Sequence, residues 1–481
     1  MFDAAIPELV CEIAFHLPDA RDLSSLSQCN HFVNEAVAPL LFKDIQVSEK
    51  SLPALAKRLL DYPEFAVQCK SLVVRSRQLG TDRQIVQLHP LGNNPDSTPS
   101  PRILASSMSF IVGQISQHRR LEKFSWHSYG TPGDGMGLMF DAEFWRSLAG
   151  VGDHLQEFSM RSLYGNSLAM LPSNIGFQNL RILRLTLGDH TTCSHFQELL
   201  NGLHLLEHLD FDARPWGERT LGGITFASSH PRLNSLSMEL SDLQLPQDLD
   251  FLHRHPTIRA LHLEVNQSFH CDDTSLPNLK ALSLHEGTIR KLPALVSLSA
   301  HRTITHLRLI DMPSSLASLN FVQGMAVSLT CLELELGIIG NGILDRFPYW
   351  LPEMSELFKL LPNLREFGMM GRPFESDKVE SFSSKHLLDF LAILDELSHL
   401  EAIRFYDICK YGAELPGSLL QNLGKVPSSL RYIKWEVHPD PKTYYIERRD
   451  EVTIGTAMPR PPVEKNMLDW TSDSVLNHMY T

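Results

Sequence analysis

"PTIRALHLEVN" (256–266) and "PNLKALSLHE" (277–286) share one pattern. A proline is followed two positions later by an apolar residue, and then by apolar residues three and five positions further on. Alternation over Ala260–Glu264 is the mark of a strand with one apolar face. The same six-residue template, apolar-x-x-apolar-x-apolar, starts at 155, 180, 206, 233, 258, 279, 304 and 329. The intervals are 25, 26, 27, 25, 21, 25 and 25 residues. Single matches arise by chance in a chain that is 43% hydrophobic, but a constant interval does not. Proline stands two residues ahead of the template at 231, 256, 277 and 362, where a helix is expected to stop before the strand.

The template continues outward at "CKSLVV" (69), "LEKFSW" (121), "LREFGM" (364), "LEAIRF" (400) and "LRYIKW" (430). The late intervals of 35, 36 and 30 predict longer helices or inserted loops. Helical stripes lie between strands: Phe196, Leu199, Leu200 and Leu203, and again Leu387, Leu391 and Leu394. One strand and one short helix cannot bury their own apolar face, so successive units have to stack. Pattern and period resemble the leucine-rich repeat. The resemblance implies an α/β fold, an irregular solenoid with parallel strands on its concave face and helices on its convex face. The Asn that this family often places three residues after the last strand Leu is matched only by Asn266. An ordinary α/β domain with parallel strands is the alternative.

Two turn-rich inserts, 89–102 and 127–137, are expected to be surface loops. After about Val437 the template stops. Residues 437–481 are expected to form an extended tail, with "MPRPPVEKN" (458–466) and a short closing helix at "SDSVLNHMY" (472–480).

Ahead of the repeats lies a denser apolar segment. Ile6–Phe42 holds 20 apolar residues other than proline among 37. Pro7 suits a first helical position, and Leu9, Ile13 and Leu17 then make one stripe. Pro18-Asp19 breaks that helix. Asp22 is expected to cap a second helix carrying Leu23 and Leu26. Asn30 is expected to cap a third, ending at Pro39. Three helices this short bury too little surface to be stable alone, so part of their apolar surface docks on the following repeats or on a partner.

"IPELVCEIAFHLPDARDLSSLSQCNHFVNEAVAPLLFKDI" (6–45) resembles an F-box. The resemblance rests on Ile6-Pro7, Glu8-Leu9, Ile13, Leu17-Pro18, Asp22-Leu23, Leu26-Ser27, Cys29, Phe32 and Pro39-Leu40-Leu41-Phe42. Ile6 stands where the family favours Leu, and His31-Phe32 replaces a commoner basic–aromatic pair. The resemblance implies a three-helix module that docks a Skp-family adaptor, and through it a cullin. The chain would then be the non-catalytic substrate receptor of a cullin–RING ubiquitin ligase. Ile6, Pro7, Leu9, Ile13, Leu17, Pro18, Leu23 and Leu26 are the expected adaptor contacts. The expected organisation is a helical module at 1–46, repeats at 47–436 and the tail at 437–481. A scaffold that binds the adaptor without degradation, or a hydrolase with an unrecognised site, are the alternatives.

In each repeat the third, fifth and seventh template positions are expected to line the concave face. They include His208, Asp210 and Asp212; Ser235, Ser237 and Glu239; Ala260, His262 and Glu264; Ala281, Ser283 and His285. Further on they include His306, Arg308 and Ile310; Cys331, Glu333 and Glu335; Ala402, Arg404 and Tyr406. Of these, His208, Asp210, Asp212, Glu239, His262, Glu264, Arg308, Glu333 and Arg404 are the candidate contacts for a protein substrate, with a solvated polar face as the plainer expectation.

The net charge of -13 argues against broad phosphate binding, so no nucleic acid is expected. The seven cysteines are scattered and form no CxxC, which predicts a reducing compartment, cytoplasmic or nuclear. No secretory leader and no run of 18 apolar residues is evident, so no membrane span is expected. His190, Cys193 and His195 cluster, as do His270, Cys271, Asp272 and Asp273, but neither set completes a four-ligand zinc motif. "GDGMG" (133–137) has no Lys-Ser/Thr after it. No catalytic residue, metal or cofactor is expected.

Overall fold

In a computed structural model, residues 7–17, 20–75, 101–128, 140–162, 176–186, 193–212, 230–240, 250–265, 275–285, 303–310, 322–336, 343–371, 384–406, 420, 423, 426–436, 442–449 and 452–458 are described. The chain divides into two compact units, 1–233 with 241–246, and 234–240 with 247–481.

The first unit opens with α1 (Pro7–Phe15), α2 (Ala20–Ser27) and α3 (His31–Leu41). Proline at the first position of α1 gives up an N–H that has no partner there anyway. The second cap falls elsewhere than expected: α2 begins at Ala20, and Asp22 lies in its first turn. The third is as expected, with the Asn30 side-chain oxygen accepting the Val33 N–H at 2.8 Å. Pro39 does not end α3, which runs on to Leu41. Proline removes a single N–H, and the turn still closes with the Phe42 N–H on the Ala38 carbonyl at 3.0 Å.

Strands and helices then alternate. They run β1 (Asp44–Ser48), α4 (Leu52–Asp61), α5 (Glu64–Gln68), β2 (Ser71–Arg75), α6 (Pro101–Ser116), β3 (Lys123–Ser128) and α7 (Ala142–Ala149). β4 (Glu157–Ser162), β5 (Ile182–Thr186), α8 (Cys193–Asn201) and β6 (His208–Asp212) follow. Ser51 precedes α4 without capping it, because its hydroxyl pairs with that of Ser48 at 2.9 Å. β1 to β6 pair in chain order, all parallel.

The second unit holds β7 (Ser235–Leu240), α9 (Asp250–Arg254), β8 (Ala260–Val265), β9 (Ala281–His285), β10 (His306–Ile310) and β11 (Cys331–Leu336). α10 (Ile343–Lys359), β12 (Glu366–Gly371), α11 (Ser384–Ala392), β13 (Ala402–Tyr406) and β14 (Tyr432–Glu436) come next. β7 to β14 are again parallel in chain order. The expected tail differs over its described part. β15 (Lys442–Arg449) pairs antiparallel with β14, and β16 (Val452–Met458) with β15. The alternation in "YYIERR" fits a strand, and Tyr444 and Ile446 are buried. Residues 472–480 lie outside the described residues, as do both turn-rich inserts except Pro101-Arg102 at the start of α6 and His127-Ser128 at the end of β3.

The repeat is visible atom by atom. The Lys70 carbonyl accepts the N–H groups of both Glu122 and Lys123, at 2.8 and 3.0 Å. In the second unit the Arg259 carbonyl receives Lys280 and Ala281, and the Thr330 carbonyl receives Arg365 and Glu366, in the same way. The prolines ahead of the template sit in turns, and ahead of Pro256 and Pro362 a helix stops as expected, at Arg254 and Lys359. Leu233 N–H closes on His230 O, Ile258 on His255, Leu279 on Leu276 and Leu364 on Leu361, each placing a proline at the second turn position. The template's apolar positions form the core: Leu206, Leu209 and Phe211, for example, or Ile258, Leu261 and Leu263. Phe196, Leu199, Leu200 and Leu203 pack beneath them as predicted, as do Leu387, Leu391 and Leu394.

Candidate functional site

In α1 the helical stripe chosen from the sequence faces away from the core. Leu9 is 56% exposed and Ile13 44%. Val10 and Ala14, one position on, are buried with Val33 and Val37. Leu23 and Leu26 are half-buried against that small core, and Leu17 is half-buried as well. Pro7 begins α1. Its side chain, Ile6 and Pro18 lie outside the described residues. Two large aliphatic side chains thus lie one turn apart on an exposed helix face.

The polar strand positions form rows across the sheet. In the second unit one row runs Ser237, His262, Ser283, Arg308, Glu333, Gly368, Arg404 and Lys434, each in register with the next. This row is not a solvated face. Arg308 is 1% exposed, Glu333 4%, and Glu335 in the adjoining row is fully buried. His262 is buried too and shares a hydrogen bond with Ser283 at 2.8 Å. Strands about 4.8 Å apart crowd their side chains, so long polar ones lie on one another rather than in water.

Burial demands pairing. Arg308 donates to Glu335 at 3.0 Å and lies 3.8 Å from Glu333. Glu333 also meets Arg404 at 3.5 Å, although β12 runs between their strands. The residue between is Gly368. A Cβ there would lie 2.6 Å from Glu333 Cγ, so the missing side chain is the gap through which Glu333 reaches Arg404. Beside it, burial pushes the Glu366 carboxyl up to about 8, with Glu333 and Glu401 adding to the rise and Arg404 opposing it. Burial likewise raises the Cys331 thiol, next to Glu366.

The first unit carries a matching network. Glu157 joins Lys123 at 2.9 Å and Arg184 at 2.6 Å, and Arg161 reaches over β5 to pair with Asp210. Burial alone would raise the Glu157 carboxyl, but Arg184 and Lys123 hold it below the ordinary range. Burial, reinforced by Arg184, lowers His208, so its imidazole is neutral at pH 7. A Ser125–His127–Ser159 set is buried nearby, with contacts of 2.8 and 3.2 Å.

Of the expected substrate contacts, Asp210, His262, Arg308 and Glu333 are thus buried. The three charged ones are already engaged in ion pairs. His208, Asp212 and Arg404 are half-buried. The side chains of Glu239 and Glu264 lie outside the described residues. So do His190 and 270–273, the side chains of Cys193 and His195, and "GDGMG". Among the described residues no group of three His, Cys, Asp or Glu could hold a metal ion, and no helix is long and apolar enough to cross a membrane.

No protein-family model matches the chain. No curated protein is significantly similar to it either.

Asparagines ahead of the template were missed by the sequence reading. Asn278 donates to the Pro256 carbonyl at 2.9 Å, Asn363 to Val327 at 2.8 Å, and Asn179 to Asp153. Each ties its turn to the preceding repeat. The recurrent "N-L" at 179–180, 278–279 and 363–364 is the signal that identifies them.

Proposed function

We propose that this chain is a substrate-receptor subunit of a cullin–RING ubiquitin ligase, docking a Skp-family adaptor through an F-box and a protein substrate through leucine-rich repeats. The observation that carries this reading is the exposure of Leu9 and Ile13 while Val10 and Ala14 fill the core beside them. A helix that merely capped the repeats would turn its larger side chains inward. The parallel, in-order strands with their repeated carbonyl rung support the repeat part of the reading. In this reading the chain supplies two surfaces and no catalysis.

The deciding experiment compares the full chain with Leu9→Asp/Ile13→Asp in co-purification with a Skp-type adaptor and a cullin. Both positions are exposed, so the variant keeps its fold and melting temperature and loses the adaptor. Retention of the adaptor by a folded variant overturns the proposal. Recovery of the adaptor without the cullin points to a scaffold instead.

A further inference from the structure

We propose that the first unit contains a binding site for a small amphipathic anion, in the cleft between α2, α3, β1, α4 and α5. The cleft has a volume of about 540 Å³, within the size of small-molecule sites. Its floor is apolar, made by Phe42, Ile45, Val47, Leu55 and Phe65. Phe42 and Phe65 stack face to face at 4.0 Å between ring centroids, with their planes 9° apart, so the floor includes a packed aromatic pair. Ser24, Gln28 and Asn34 stand on the wall given by α2 and α3 and can hydrogen-bond a polar group.

Charge selects the ligand. None of the residues lining the cleft is acidic, in a chain whose net charge is -13. Two can be cationic, His31 and Arg58. His31 is held by Glu35 at 3.4 Å. Arg58 meets no carboxylate among the described residues. Its guanidinium instead lies over Tyr62 and Phe65, 5.1 and 5.8 Å from the ring centres. Arg58 is solvent-exposed, and stacking on the rings leaves the N–H edge of its guanidinium for a planar oxyanion. Apolar floor, hydrogen-bonding wall and ring-stacked cation together fit an apolar body that ends in a carboxylate, sulfonate or phosphate.

Two fluorescent probes test this on the full chain: 8-anilinonaphthalene-1-sulfonate and N-phenyl-1-naphthylamine, the same apolar body without the sulfonate. Both are expected to bind saturably at one site. Arg58→Gln is expected to weaken the sulfonate probe about tenfold and to leave the neutral probe unchanged. Asn34→Trp, an exposed helix position at the cleft mouth, is expected to abolish both, and Ser24→Trp repeats that test should Asn34→Trp lose its far-UV circular dichroism. Leu9→Ser/Ile13→Ser removes the exposed patch on α1 and is expected to change neither. The proposal is overturned by absence of saturable binding, by folded Trp variants that still bind both probes, or by Arg58→Gln acting on both probes alike or on neither.

Discussion

At the scale of single residues, Gly368 does what no other residue can. It leaves a gap between β11 and β13 through which a buried carboxylate meets an arginine two strands away. Gly368→Ala is expected to cost about 1–3 kcal/mol in urea unfolding, the range for overpacking. Because the clash is with the Glu333 side chain, the cost should largely vanish in a Glu333→Ala background. A double-mutant cycle showing simple additivity would refute the steric account. Glu366 makes a pH prediction. Its carboxyl is raised from 4.5 to about 8 in the folded chain, so the folded state holds a proton that the unfolded state has released. This lowers stability progressively from about pH 4.5 to 8, and the penalty is complete above pH 8. Glu366→Gln is expected to flatten that slope and to raise the melting temperature most at pH 8. Glu157 acts in the opposite sense: its depressed carboxyl adds stability above its ordinary 4.5, lost as pH falls through the lower folded value.

At the scale of elements, caps and turns separate two uses of asparagine. Asn30 satisfies the start of α3, and Asn30→Ala is expected to cost about 1 kcal/mol by chemical denaturation. Asp22→Ala, which removes only a charge near the start of α2, is expected to cost a few tenths. The period-25 template located the strands from β4 to β11, and their apolar positions are the core. Alternation says which residues share a face, so the polar rows were legible too. Their burial was not, because it depends on which side chains lie across neighbouring strands. Arg308 and Glu333 belong to different repeats, and only register brings them together. The same limit explains α1. Spacing puts Leu9, Ile13 and Leu17 on one stripe but does not say whether that stripe meets the core or a partner. Tertiary packing decides it: the smaller Val10 and Ala14 are the ones buried with Val33 and Val37 of α3. The strand β15 was missed because the template ends at β14 and the hairpin follows antiparallel, without the repeat's spacing.

At the scale of the whole molecule, the chain joins an exposed apolar helix face to a long series of parallel strands. If the two surfaces act independently, Leu9→Asp/Ile13→Asp should leave the urea midpoint within about 0.5 kcal/mol of the parent, as surface changes usually do. A large loss of stability would mean that α1 is held by contacts through those two residues.

The buried ion pairs carry one last consequence, for association kinetics. Arg308 and Arg404 balance Glu333 and Glu335, and Glu366 keeps its proton at neutral pH. This buried cluster of four charges therefore adds little field to the solvent, despite its richness in charged residues. A partner arriving there is not guided from a distance, so its on-rate should hardly change with ionic strength. Stopped-flow association in low and high salt reads this directly. A steep salt dependence would place the recognition surface elsewhere on the chain.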